Sequence, residues 1–76
     1  MNLNDSLMHR TYQVVDVVDL DLPVERRLEA LGLTGGTSIT VLNKKRNGAV
    51  IVKVRGTRFA VGTQIAAGIR IREVQP

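Results

Sequence analysis

Few residues in this chain could do chemistry, and their types narrow the choice at once. His9 is the one imidazole and there is no cysteine. That removes thiolate metal sites, cysteine nucleophiles and disulfides, and leaves a zinc or iron site without further soft or nitrogen ligands. His9 stands in a polar, aperiodic stretch and reads as a solvated histidine. The one set it could join uses Asp16 or Asp19. Asp16, Asp19 and Asp21 are the weak candidates for oxygen ligands to a metal. They lack the sharp-turn glycine and closing glutamate of a calcium loop, so no resident cofactor is expected and transition-metal binding would be weak. Asp21 is also placed to cap a helix, where an anion is favoured. No Ser–His–Asp set, Cys–His set or facing carboxylate pair can be assembled, so the chain is not read as an enzyme. Its glycines contain no Gly-x-x-x-x-Gly-Lys-Ser/Thr phosphate loop; each is explained by a turn or a cap.

The remaining chemistry is charge. Eleven Lys and Arg against seven acids give a formal net charge of +4. The acids gather in the first half and the bases after residue 43, as Lys44-Lys45-Arg46, Lys53, Arg55, Arg58, Arg70 and Arg72. Such a surface could meet an acidic protein or track a phosphate backbone. Small barrels that bind nucleic acid usually stack bases on strand aromatics. Here Tyr12 is alone and Phe59 has the parity of a core residue, so nucleic acid is the less favoured partner.

The elements that must position these charges are short. At 76 residues the chain has room for one domain, expected over 11–76 behind a flexible tail at 1–10. Its interior must be filled by Val, Ile and Leu. No leader-like apolar run opens the sequence, and no stretch nears the roughly 20 apolar residues of a membrane helix, so a cytoplasmic, non-inserting domain is expected. Tyr12 to Val18 is apolar on both parities and reads as a strand covered on both faces. Val24, Leu28 and Leu31 share one face of a helix with Pro23 at its start, while Glu25, Arg26 and Glu29 point away. Gly32 fits the left-handed position past the helix end, letting Leu33 fold back on Leu28. Thr37 to Leu42 reads as a strand with Ile39 and Val41 inward, followed by a hairpin at Asn47-Gly48. Ala49 to Arg55 alternates with Val50, Val52 and Val54 inward. A Gly56-Thr57 turn then pairs Arg58 to Val61 with it. Thr63 to Ala67 suits one helical turn capped by Thr63, and Ile69 and Ile71 face inward in a last strand. Arg55 and Arg58 would then flank a tight turn on adjacent strands. About five strands and one short inserted helix predict a mainly β, small closed barrel.

The run Arg26-Arg27-Leu28-Glu29-Ala30-Leu31-Gly32-Leu33-Thr34-Gly35-Gly36 resembles the central motif of the ferrous iron transport protein A (FeoA) family. The resemblance continues through Ile39 to Leu42, Ile51 to Ala60 with Gly56, and Ala66, Ile69 and Ile71. Family members usually carry Thr-Pro-Gly where this chain has Thr34-Gly35-Gly36. Many also carry an Ala-Pro-x-Gly-x-Pro hairpin where it has Lys44 to Gly48. The resemblance implies a Src-homology-3-like barrel and a cytosolic adaptor role in ferrous iron uptake. By the same resemblance the partner is the GTPase region of a FeoB-like membrane transporter. Alternatives are a stand-alone domain of the kind appended to iron-dependent repressors, or a basic nucleic-acid-binding barrel. The motif residues Arg26, Arg27, Leu28, Leu31, Gly32, Leu33, Gly36 and Gly56 are read as structural, and the exposed Arg26, Glu29, Arg55 and Arg58 as candidate partner contacts.

Overall fold

A computed structural model describes residues 1–74, so the expected domain end at residue 76 lies outside the described residues. Five antiparallel strands follow one another as β1 (Thr11–Val17), β2 (Ser38–Lys44), β3 (Val50–Val54), β4 (Thr57–Val61) and β5 (Ile69–Glu73). Helix α1 (Leu22–Ala30) joins β1 to β2, and the single turn α2 (Thr63–Ala66) joins β4 to β5. The mainly β architecture with one inserted helix is the one expected. The closed barrel is not: the strands lie in the order β4-β3-β2-β1-β5, and the ladder leaves β4 and β5 as edges. The register shifts between Val14 and Asp16 in β1 and between Val41 and Asn43 in β2, two interior strands. A bulge of this kind increases the local twist, which curls an open sheet around one core.

That core is aliphatic, as the composition required. Val14, Ile39, Val41, Val50, Val52, Val54, Ile69 and Ile71 point inward from the strands, with Leu28 and Leu33 supplied by α1 and its cap. Strand β1 departs from its expected double coverage. Tyr12 and Val14 are buried, while Val15 on the opposite face is 42% exposed, because nothing packs over it there.

The first ten residues, expected to fray as a tail, dock instead. Leu3 is 0% exposed in a short 3-10 turn over Leu3–Asp5 whose ends are tied by Asn2 and Asp5. The Ile71 N–H donates to the Met1 carbonyl at 2.9 Å, and Asn2 bridges to Arg70. The Leu7 N–H donates to the Tyr12 hydroxyl at 2.8 Å. Lys44 Nζ donates to the carbonyls of Asn4 and Ser6 at 2.8 and 2.6 Å. Burial of Leu3 and pairing along β5 outweigh the disorder that polar composition favours. The amino-terminal segment therefore covers the β5 edge.

Candidate partner-binding site

The motif helix ends as its residues dictate. Gly32 adopts φ +89°, the Gly32 N–H donates to the Glu29 carbonyl, and the Leu33 N–H donates to the Leu28 carbonyl, both at 2.9 Å. These two bonds and the buried Leu28 and Leu33 form a Schellman cap. Pro23 falls in the first turn as expected. Asp21 occupies the N-cap position but its side chain makes no cap hydrogen bond, so its capping role is not realised. Likewise Gly62, not Thr63, is the N-cap of α2.

The hairpins differ from expectation in register. Val54 pairs with Thr57, so the two-residue loop is Arg55-Gly56, with φ +51° and +82°. Two positive φ values make a type I′ turn; it suits the strand twist as the expected glycine-first turn would, so the pairing of Val54 with Thr57 decides between them. Arg55 therefore sits at the hairpin tip in a left-handed conformation uncommon for a side-chain-bearing residue. It does not project from a strand beside Arg58. In the other hairpin only Gly48 is left-handed, and the Gly48 N–H donates to the Lys45 carbonyl at 2.9 Å.

This geometry sorts the four candidate contacts. Arg26, Glu29, Arg55 and Arg58 are all exposed. A cleft of about 280 Å³ between the end of α1 and the β3–β4 turn is lined by Glu29 and Arg55, together with Leu31, Gly32 and Val54. The Arg55 side chain lies over the helix cap, where a Cβ on Gly32 would come within 3.0 Å of its Cδ. Gly32 thus serves two needs, the left-handed cap and the close passage of Arg55. Arg26 and Arg58 lie apart from this cleft. Arg58 stands on β4 directly opposite Lys53, also exposed.

The other charged positions are engaged elsewhere. Arg70 grips Asp16 bidentately, Nε to Oδ1 at 2.5 Å and Nη2 to Oδ2 at 2.7 Å. That hydrogen-bonded guanidinium holds the Asp16 carboxyl below its ordinary pKa and raises Arg70 above its own. Arg72 donates through Nε to Gln13 Oε1 at 2.7 Å. Asp16 is thus committed to an ion pair, Asp19 is exposed at φ +56°, and Asp21 stands at the helix start. Among the described residues no three His, Cys, Asp or Glu side chains gather into a group that could hold a metal. Nor do aromatics offer a stacking platform. Tyr12 is 1% exposed and Phe59 packs against the core from the inner face of β4.

Sequence reasoning placed Lys53 among the basic surface residues but missed that it stands directly opposite Arg58. The signal was present in the alternation of β3 and β4, but reading it needed the hairpin register.

The FeoA domain family model matches residues 1–73. An Fe(2+) transport protein A of Helicobacter pylori is 24% identical over 96% of this chain and 95% of its own length. The solution structure of FeoA from Chlorobium tepidum superposes with a TM-score of 0.90 at 26% identity, covering 99% of this chain and 71% of that one. The crystal structure of Stenotrophomonas maltophilia FeoA with zinc has a TM-score of 0.82 at 29% identity, over 95% of this chain and 89% of that one. That protein is described as a prokaryotic SH3-domain protein and a candidate activating factor of ferrous iron transport. The fold here is accordingly Src-homology-3-like, with an open rather than closed ladder.

Proposed function

Because the chain belongs to the FeoA domain family, a family of small proteins associated with ferrous iron transport, we propose that it is an accessory protein that binds the cytosolic GTPase region of a FeoB-like ferrous iron transporter. It acts by recognition rather than catalysis, biasing the transporter's assembly or nucleotide cycle. One observation carries the reading: Arg26, Arg55 and Arg58 are exposed yet make no side-chain hydrogen bond or ion pair among the described residues. Cations that the fold does not use, held on a helix and a hairpin, suit an acidic protein surface. No helix among the described residues is long and apolar enough to cross a membrane. A pull-down of the transporter's soluble GTPase domain by this chain, with and without nucleotide, tests the proposal. Retention is the expected result. Absence of retention in both nucleotide states would leave the reading without a partner.

A further inference from the structure

Of the two sheet edges, β5 is covered by the amino-terminal segment and β4 is bare among the described residues. The turn fixes which backbone groups β4 exposes. In a two-residue hairpin the residues flanking the loop exchange both hydrogen bonds, so Val54–Thr57, Val52–Phe59 and Val50–Val61 are the bonded pairs. The N–H and C=O of Arg58 and Ala60 therefore point outward, away from β3.

The side chains beside this edge are arranged at a cost. Arg58 faces Lys53 directly, and such a pair has its Cβ atoms about 4.5–5.5 Å apart, where like charges destabilise a sheet. The row continues through Thr40 to Thr11, whose hydroxyls hydrogen-bond each other at 3.1 Å, and contains no acid. A single edge cation would suffice to deter edge-to-edge aggregation. Lys53 does not lie on the edge strand, so deterrence leaves the opposed pair unexplained.

We propose that the β4 edge docks an extended acidic segment of a partner protein, added antiparallel or parallel as a sixth strand. The outward groups of Arg58 and Ala60 supply the backbone hydrogen bonds, as in other strand additions. A residue of the incoming strand opposite Arg58 falls on the same face of the sheet. Its carboxylate meets the Arg58 guanidinium, with Lys53 one further strand spacing away, about 4.8 Å. Backbone pairing gives the docking mode and the two cations select the acidic sequence. This deepens the accessory-binding reading above, resting on it for the partner's identity but not for the mode.

The test uses the whole chain and a capped synthetic peptide alternating glutamate and valine, followed by amide NMR and hydrogen exchange. Shifts and slowed exchange at the Arg58 and Ala60 amides are expected. Ala60→Pro removes one outward donor while leaving the bonds to β3 intact, because proline is tolerated on an edge. It should abolish binding with the remaining spectrum folded. Lys53→Glu with Arg58→Glu should weaken binding at least tenfold. Lys45→Glu with Arg46→Glu, the same change in net charge on the other hairpin, should leave it near wild type. Wild-type binding by folded Ala60→Pro, or equal loss in both charge-reversed pairs, would overturn the proposal. So would protection of the two amides by self-association without peptide, since the occupant would then be a second copy. A failure of the transporter pull-down with intact peptide binding would refute the partner and not the edge.

Discussion

Leu28→Ala tests whether the motif helix is held as described. Leu28 is 4% exposed and supplies both the carbonyl of the cap bond and the apolar partner of Leu33. Truncation removes three buried carbons, worth about 0.8 kcal/mol each, or about 2.4 kcal/mol in transfer terms. The unfilled volume adds to this, although the cleft beside Leu31 and Gly32 gives neighbouring side chains room to settle. A loss of about 2–4 kcal/mol follows. A domain of this length has a total stability of about 4–11 kcal/mol, so the variant is seriously weakened. At about 4–8 °C per kcal/mol, a 3 kcal/mol loss lowers Tm by about 12–24 °C. Urea and thermal unfolding followed by circular dichroism measure both quantities. Leu31→Ala, at a half-buried position on the same stripe, should lose less. A loss below about 1 kcal/mol for Leu28→Ala, or a larger one for Leu31→Ala, would refute the packing of α1 through Leu28 against the core.

The docked amino terminus predicts that Leu3→Ala costs about 2–4 kcal/mol, as for other buried leucines, whereas a frayed tail would show no change in urea midpoint. Gly32→Ala and Gly36→Ala both force alanine into φ +89°, a strain of about 1–2 kcal/mol. Only the former also meets Arg55, so it should lose more, and Arg55→Ala should return part of that excess in a double-mutant cycle. Asp16 titrates lower in the folded state than unfolded. Its contribution is therefore present above the unfolded carboxylate pKa, about 3.9, and is lost as pH falls through the depressed folded value. Asp16→Asn should flatten that part of the acid-side stability profile, and an unchanged profile would show that the ion pair does not persist in solution.

What was legible in the sequence was what short-range pattern decides. Pro23, Leu28, Gly32 and Leu33 lie within one helix and its cap, so local geometry alone writes the Schellman motif. The inward positions of β2, β3 and β5 follow from alternation and are buried as expected. What was not legible depends on distant pairing. Leu3 is one of two leucines in a polar stretch, and the elements its turn docks against, α2 and β5, lie about 60 residues further along the chain. The Arg55-Gly56-Thr57 run admits a tight turn at either dipeptide; register against Phe59 and Val61 selects the first. That one-residue shift moves Arg55 from a strand face to the helix cap and sets Arg58 against Lys53. A strand count likewise cannot tell a closed barrel from an open ladder, because closure depends on whether the first and last neighbours meet.

If exposed cations on this Src-homology-3-like scaffold bind an acidic surface of the transporter's GTPase region, charge reversal must slow their encounter. The decisive quantity is the association rate of this chain with that domain at low and high salt, for wild type, Arg26→Glu and the Arg55→Glu, Arg58→Glu pair. Melting temperatures close to wild type are expected, since neither surface serves the core. Both variants should associate more slowly at low salt, with the difference shrinking as salt rises. Wild-type association by both variants at both salt concentrations would contradict the proposed recognition by these cations.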